Sequence, residues 1–174
     1  MINKIIFYLK LLFANDYNRY KIYQKYLKIE FGLGVRILHF PRFGSEPYLI
    51  KIGNNVTITR GVCFVNHDGG VGLFRKEYPG LNVYGRIEIG DNVFIGLNTI
   101  ILKGVKIGNN VVIGAGSIIN KDIPDNVVVA GVPARIIGDI ENYKKKAISN
   151  GCYINTADSL EKKRIIESYI KYTL

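Results

Sequence analysis

One of the two histidines in the sequence lies in a setting that suits proton transfer. His67 stands between Asn66 and Asp68, directly before a glycine-rich stretch. An imidazole that is neutral near pH 7 accepts a proton, as a general base must. Asp68 could help orient the ring, but consecutive strand residues point to opposite faces, so a backbone carbonyl is an alternative. His39 has no comparable setting, and we interpret it as structural.

The stretch after His67, residues 69–85, interrupts an otherwise regular pattern. Insertions of this length that leave a rigid scaffold are usually functional. It is rich in glycine but lacks the Lys-Ser/Thr ending of a phosphate-binding P-loop. We interpret it as a flap that covers a site or clasps a neighbouring subunit. Arg75 lies near its middle, and we expect Asn66, Asp68 and Arg75 to contact the substrate.

The scaffold that must hold these groups is a six-residue repeat. Isoleucine recurs at every sixth position, at Ile89, Ile95, Ile101, Ile107, Ile113 and Ile119. A period of six fits neither an α-helix nor a simple alternating strand. It is typical of a parallel β-helix, in which three hexapeptides close a coil and coils stack about 4.8 Å apart. Glycine after the isoleucine is expected to supply backbone freedom at the turn.

The repeat also predicts the domain organisation. It is clean from Ile52, whereas residues 31–50 indicate a ragged first coil interrupted by prolines. The register breaks between Phe64 and Ile89, which are 25 residues apart, one more than four hexapeptides. We therefore expect a β-helix domain over residues 31–138, with the flap inserted at 69–85.

The segments on either side of the repeat are predicted to be helical. Residues 1–30 carry apolar residues at helical spacing among lysines and arginines. One interpretation is that they pack on the base of the β-helix or on a neighbouring subunit. The other is that they form a basic helix that rests on a membrane. Residues 139–174 are predicted to contain a helix capped by Asn155.

Composition narrows the classes of function. The 174 residues carry a formal charge of +10, which suits an anionic ligand or surface, or simply a solvated basic exterior. No nucleic-acid-binding motif is present in the sequence. Two cysteines are too few for a disulfide framework, which favours a reducing, cytoplasmic location. The sequence lacks an apolar run of 18 residues that would indicate a membrane-spanning helix.

Three motifs resemble those of a known family. They are Asn66-His67-Asp68 before the flap, IEIGDNVFIG at residues 87–96, and IGAGSIINKDIPDNVVVAGVPAR at residues 113–135. Together they resemble the hexapeptide-repeat acyltransferases, among them maltose/galactoside, xenobiotic and surface-polysaccharide acetyltransferases. The resemblance covers about half the chain. It implies an all-β core folded as a left-handed parallel β-helix with short terminal helices. It also implies a homotrimer with each active site between two prisms.

The resemblance assigns roles to residues. It implies that His67 deprotonates an acceptor hydroxyl, which attacks the thioester of acetyl-CoA, with no metal involved. The residues expected to bind acetyl-CoA are Phe94, Gly96, Leu97, Gly114, Ala115, Asn120, Lys121 and Arg135. Lys121 and Arg135 suit the coenzyme's phosphates. The chain departs from the family pattern with Phe94 for the usual tryptophan, Leu97 for a frequent serine, and Gly138 where some relatives carry a second arginine.

Four functions remain to be distinguished. The first is an O-acetyltransferase that acts on a sugar hydroxyl of a surface polysaccharide or its precursor. The second has the same chemistry with another acceptor, such as a xenobiotic alcohol, serine or an amino-sugar nitrogen. The third, a γ-type carbonic anhydrase, needs three histidines around zinc, and the chain has two. The fourth is a β-helix without catalysis, which the complete coenzyme motif disfavours.

Overall fold

The computed structural model describes residues 2–173, with the side chains of residues 4–171. Met1 and Leu174, the outermost residues of the two predicted terminal segments, lie outside the described residues. The chain divides into two units. The first extends to Ile140, and the second runs from Glu141 onward.

Three sheets form the body of the first unit, and their strands are parallel except for the last strand of the second sheet. The first sheet has the order β1 (Glu30–Phe31), β3 (Ile50–Ile52), β6 (Ile87–Ile89), β9 (Lys106–Ile107). The second runs β2 (Arg36–Ile37), β4 (Thr57–Ile58), β7 (Val93–Ile95), β10 (Val111–Ile113), β12 (Val127–Gly131), and ends in an antiparallel strand, β13 (Ala134–Asp139). The third contains β5 (Cys63–Val65), β8 (Ile100–Leu102) and β11 (Ile118–Ile119). The chain visits the three sheets in rotation, so it forms a three-sided coil.

The isoleucine repeat builds the interior of this coil. Three pairs of isoleucines, each 18 residues apart, lie side by side on neighbouring strands: Ile89 with Ile107, Ile95 with Ile113, and Ile101 with Ile119. All six side chains are buried. Full burial of an aliphatic side chain of this size is worth about 1.5–3 kcal/mol. The six-residue repeat therefore brings its isoleucines into register on parallel strands, as predicted.

The irregular stretch before the clean repeat also forms a coil. Phe31 pairs with Ile52, Ile37 pairs with Ile58, and Arg42 bridges to Cys63. Each of the three sheets thus receives one segment from residues 30–45, which we call the first coil. A short 3₁₀ helix, Pro47–Leu49, leads from it into β3.

The turns between the first and second sheets differ from the expectation for glycine. The left-handed backbone conformation is taken there by asparagine, with φ between 53° and 62°, at Asn55, Asn92, Asn110 and Asn126. Their side-chain amides hydrogen-bond from coil to coil at 2.9–3.2 Å. Gly90 has no positive φ, but a Cβ there would lie 2.6 Å from Asn109 Oδ1 and 2.8 Å from the Gly108 carbonyl carbon. Close stacking of the coils, not backbone freedom, requires glycine at this position.

Two helices, α1 (Ile2–Phe13) and α2 (Arg19–Leu27), pack against the first coil. Leu11, Tyr20 and Tyr23 are buried there. The Tyr23 ring lies 4.9 Å from Phe43, and Phe43 stacks at 5.1 Å on Phe64 inside the coil. Burial raises the pKa of Tyr23 to about 12, against a smaller opposing effect of the nearby Arg19 charge.

The second unit contains most of α3 (Ile140–Ser149) and all of α4 (Ser159–Thr173). The cap of α4 is Asp158, whose Oδ1 accepts hydrogen bonds from the backbone N–H groups of Leu160 and Glu161. The predicted cap, Asn155, is wrong because the helix begins four residues later. Within the described residues, no helix is both long and apolar enough to cross a membrane.

Candidate active site

His67 lies just beyond β5, at the corner between the third and first sheets, where the flap leaves the coil. It forms an antiparallel bridge with Tyr84 at the other end of the flap. The Asp68 N–H donates to the Val83 carbonyl, and the Gly85 N–H donates to the Asn66 carbonyl. The flap is therefore closed at its base by backbone hydrogen bonds, and these fix the position of His67.

A carboxylate just after the first coil, that of Glu46, faces the His67 ring. His67 Nδ1 lies 3.2 Å from Glu46 Oε2 and 3.0 Å from Ser45 Oγ, and the Ser45 hydroxyl donates to the same Glu46 oxygen at 2.8 Å. Because Ser45 already donates its proton to Glu46, its oxygen is free to accept from Nδ1–H. Nδ1 therefore carries the proton in the neutral ring, and the lone pair is on Nε2. The arrangement leaves Nε2 as the basic atom.

Glu46 was not singled out from the sequence, which offered Asp68 or a backbone carbonyl as the partner of the ring. Glu46 lies 21 residues before His67, in the irregular stretch that precedes the clean repeat, and it belongs to none of the recognised motifs. Only the register between neighbouring coils could have indicated the contact between Glu46 and His67. Arg42 bridges to Cys63, which brings the chain after Arg42 to the same corner as the chain after Cys63.

Asn66 has a different role from the expected substrate contact. Its side chain is fully buried, with 0% exposure. Its amide nitrogen donates to the carbonyls of Phe43 (3.3 Å) and Glu46 (2.6 Å). A side chain without exposed surface offers no atom to a ligand, so we revise its assignment. Asn66 holds the loop that presents Glu46.

Asp68 is half-buried, and its side chain contacts the flap. One carboxylate oxygen accepts from the Gly70 N–H at 3.0 Å and caps the short 3₁₀ helix Gly69–Phe74. The other lies 3.4 Å from Lys103 Nζ. Neither contact is to the His67 ring. Asp68 therefore anchors the flap and neutralises part of the charge of Lys103.

Arg75 braces the flap from within. Its Nε donates to the Leu81 carbonyl at 3.0 Å, and its terminal nitrogen donates to Asn82 Oδ1 at 2.8 Å. These contacts use part of the guanidinium, which has five N–H donors in all. A substrate contact through the remaining donors stays a prediction.

A cavity of about 360 Å³ opens beside His67. Its lining includes His67, Asp68, Lys103 and Asn120. The structure thus brings three predicted site residues, His67, Asp68 and Asn120, to one place. Lys103 was missed because it sits in a regular coil. Its position near His67 could again have been inferred only from strand register, since Val65 pairs with Leu102, the residue before Lys103.

A second cavity, of about 370 Å³, is lined by the two residues that we predicted to bind the phosphates of the coenzyme. Lys121 and Arg135 both line it. Arg135 lies in β13, just after the turn that contains the cis peptide bond Val132–Pro133. The side chain of Asp122, a third lining residue, is occupied by a hydrogen bond from the Lys106 N–H at 2.8 Å. Two cations on one cavity fit a group that carries several phosphates.

The remaining predicted coenzyme residues lie elsewhere on the coil. Phe94 is on β7 of the second sheet, and Leu97 and Ala115 are at the corner between the second and third sheets. All three are exposed, and the Leu97 carbonyl accepts from the Gly116 N–H at 2.7 Å. They are one corner away from His67, and a side of about six residues spans roughly 20 Å.

The glycines in this second group serve the stacking of the coils. A Cβ on Gly96 would lie 2.6 Å from the Ala115 nitrogen, and one on Gly114 would lie 2.9 Å from the Ala130 Cβ. Their lack of a side chain is required within the chain itself. Close approach of a coenzyme at these positions stays a prediction.

Comparison with known proteins identifies the family. Residues 86–121 match the family model described as hexapeptide repeat of succinyl-transferase. Over 139 residues the chain is 57% identical to Protein CapG of Staphylococcus aureus, an alignment that covers 79% of this chain and 81% of that protein. The chain belongs to the hexapeptide-repeat acyltransferase family. It is an acyltransferase, as the sequence motifs indicated.

Other relatives of this acyltransferase have named sugar acceptors. It is 42% identical over 106 residues to galactoside O-acetyltransferase of Escherichia coli (strain K12), covering 58% of this chain and 49% of that protein. It therefore spans about half the length of that relative. The crystal structure of a maltose O-acetyltransferase from Clostridium difficile 630 matches with a TM-score of 0.57 and 29% identity, covering 79% of this chain and 83% of that one.

Proposed function

We propose that this acyltransferase is an acetyl-CoA-dependent O-acetyltransferase that acetylates a sugar hydroxyl of a surface polysaccharide or its precursor. The observation that carries the proposal is the pair formed by His67 and Glu46, with Nδ1 3.2 Å from the carboxylate oxygen. This pair leaves Nε2 unprotonated on a histidine that lines a cavity, which is the arrangement that a general base requires.

The reaction follows from the tautomer of His67. Acetyl-CoA supplies an acetyl group activated as a thioester. His67 Nε2 takes the proton of the acceptor hydroxyl as the oxygen attacks the thioester carbonyl carbon. Glu46 stabilises the imidazolium that forms, because its carboxylate faces Nδ1–H. As the carbon–sulfur bond breaks, His67 returns the proton to the sulfur, and the products are an O-acetyl ester and the free thiol.

Lys121 and Arg135 would bind the phosphates of the coenzyme in the second cavity. Asn120 lines the cavity of His67, and its neighbour Lys121 lines the phosphate cavity, so the two cavities follow one another along the chain. A coenzyme that extends from one to the other would bring its thioester end toward His67. The residues present therefore fit acetyl-CoA.

We further propose that the site is completed by a second copy of the chain, in a homotrimer of left-handed coils. Phe94, Leu97 and Ala115 lie one corner away from His67 in the same chain. A single site that uses both groups therefore needs two chains side by side. The family resemblance implies the same arrangement and the left-handed sense of the coil.

The proposed acceptor is a sugar because two relatives are named for sugar acceptors, a galactoside and maltose. Asp68, Lys103 and Arg75 are the residues that we expect to contact it. Acetyl-CoA as donor places the reaction in the cytoplasm in this proposal.

The experiment is an acceptor screen. The full chain is incubated with acetyl-CoA and a panel of hexoses, N-acetylhexosamines, oligosaccharides and serine, and release of the free thiol is followed. Acetyl-CoA-dependent turnover with one or more sugars, and O-acetylated product by mass spectrometry, is the expected result. Turnover with serine alone would contradict the sugar acceptor, and binding of acetyl-CoA without any transfer would contradict the proposed activity.

A further inference from the structure

The outer face of α1 carries an apolar stripe that nothing in the first unit covers. Its residues follow the spacing i, i+3, i+4, i+7, i+8, and they are Ile5 (58% exposed), Tyr8 (62%), Leu9 (49%), Leu12 (67%) and Phe13 (88%). The opposite face holds Leu11, which is buried against the first coil at 3% exposure. The helix is thus apolar on two faces, and only one of them stabilises the fold.

Basic side chains border the exposed stripe. At about 100° per residue, Lys4 and Lys10 fall on its two sides. The helix contains no acidic residue, and residues 2–28 carry six basic residues and one acidic residue, a net charge of +5. Half of the formal charge of the whole chain is therefore concentrated in this short segment.

The apolar surface continues inward from the stripe. A cavity of about 570 Å³ lies between α1, α2 and the first coil, and its lining includes Tyr8, Leu12, Tyr23, Phe40, Phe43 and Ser45. Tyr8 and Leu12 belong to the exposed stripe as well. Ser45, at the other end of this surface, is the residue that hydrogen-bonds to His67.

We propose that the exposed face of α1 lies on an anionic lipid membrane. A helix with a broad apolar face and lysines along its borders rests in the interfacial plane, with aliphatic and aromatic side chains among the acyl chains. The lysine stems can extend along the apolar surface while their ammonium groups reach the lipid phosphates. None of the described helices can span the bilayer, so the contact is peripheral.

Charge decides between a membrane and a second copy of the chain as the occupant. An identical segment would bring another net charge of +5 against this one, and like charges in close contact repel. An anionic lipid surface instead attracts each lysine or arginine near it. The proposal does not depend on the identity of the acceptor.

The test uses vesicle co-sedimentation of the full chain. Phosphatidylcholine vesicles with and without about 30 mol% phosphatidylglycerol are compared at low and high salt. The variants are Leu9→Gln/Leu12→Gln/Phe13→Gln for the stripe and Lys4→Glu/Lys10→Glu for its borders. The matched controls carry the same changes on exposed residues of the second unit: Ile148→Gln/Leu160→Gln/Ile170→Gln and Lys144→Glu/Lys145→Glu.

The wild-type chain is expected to bind anionic vesicles at least about tenfold more tightly than neutral ones, and less tightly at high salt. Both α1 variants should lose about tenfold or more of this affinity, with unchanged circular dichroism, while the two controls retain it. Absence of binding to anionic vesicles would overturn the proposal, and so would equal losses in the controls. A lower molecular mass of the stripe variant in light scattering would show that a second copy covers α1, and that also overturns it.

Discussion

At the scale of single residues, the basicity of His67 depends on which nitrogen carries the proton. Glu46 and Ser45 both contact Nδ1, and together they select the tautomer with its lone pair on Nε2. The buried Asn66 amide holds the Glu46 carbonyl at 2.6 Å and so controls where the carboxylate lies. Three residues that do not meet the reacting atoms thus prepare one that does.

Replacing Glu46 by glutamine is expected to slow turnover without weakening coenzyme binding. The amide keeps the shape of the carboxylate but does not stabilise the imidazolium. A hydrogen bond to a charged group is worth about 1.5–3 kcal/mol, which corresponds to a roughly 10- to 150-fold lower kcat. Steady-state kinetics should show the loss in kcat, with the KM for acetyl-CoA nearly unchanged. Glu88→Gln, on β6, is the matched control. A loss confined to KM would contradict the positioning role of Glu46.

At the scale of elements, the coils are held at a distance that only glycine permits at certain turns. Gly90 meets Gly108 and Asn109 of the next coil, whereas Gly138 has open space where a Cβ would be. The stacked asparagines at the same turns supply the residues with left-handed backbone conformation and the hydrogen bonds between coils: Asn55, Asn92, Asn110 and Asn126. Each turn is therefore specified twice, by a residue without a side chain and by one that takes a positive φ.

Gly90→Ala is expected to destabilise the fold because its Cβ would overlap the neighbouring backbone. Overpacking of this kind typically costs about 1–3 kcal/mol. In a chain of this size each kcal/mol lowers Tm by about 2–4 °C. Thermal unfolding followed by circular dichroism measures the shift. Gly138→Ala should leave Tm almost unchanged, and an equal shift in both variants would contradict the close-contact explanation.

Tyr23 links the helices to the coil and makes the fold sensitive to alkali. Its folded pKa of about 12 lies above the unfolded value near 10, so the neutral phenol is favoured in the fold. This contribution is fully present below pH 10 and is lost as the pH rises from about 10 to 12. The loss amounts to about 2–3 kcal/mol.

Tyr23→Phe should therefore lose less stability than the wild type between pH 8 and pH 11. Urea unfolding at the two pH values gives the comparison. The control is Tyr48→Phe, because that ring is exposed. Equal alkaline losses in the wild type and Tyr23→Phe would show that the burial of Tyr23 has no such consequence.

The strands and helices could be predicted from the sequence more accurately than the contacts between them. Period six placed Ile89 and Ile107 correctly because the repeat is local and each coil repeats the last. Glu46 escaped prediction because its contact to His67 depends on how the irregular stretch that contains it stacks on the next coil. The role of Gly90 was misjudged because a close contact between coils leaves no local trace distinct from a flexible turn. Lys103 resembles any exposed lysine until its register with β5 is known.

At the scale of the whole molecule, the residues expected to bind acetyl-CoA fall into two groups on different corners. Lys121 and Arg135 share a cavity near the corner of His67, and Phe94, Leu97 and Ala115 do not. One chain therefore carries one half of the proposed site at one corner and the other half at a different corner. This division is the physical reason for proposing that neighbouring copies form the active sites together.

Complementation tests the shared site. His67→Asn lacks the base, and Ala115→Trp blocks the other corner with a large ring, so each variant alone is expected to be inactive. Equal co-expression should restore about a quarter of the wild-type activity, since each interface draws its two halves independently. The mixed sample is compared with each variant at the same total concentration. No recovery in trimers shown to contain both chains would mean that the site lies within one chain.

The most direct measurement of the central claim compares the two histidines. His67→Asn and His39→Asn carry the same substitution, and asparagine also tolerates the positive φ of 71° at His39. General-base catalysis contributes about 10²–10⁴-fold, so kcat for acetyl transfer should fall by that factor in His67→Asn and stay close to wild type in His39→Asn. Unchanged turnover in His67→Asn, with the fold intact, would contradict the assignment of His67 as the base.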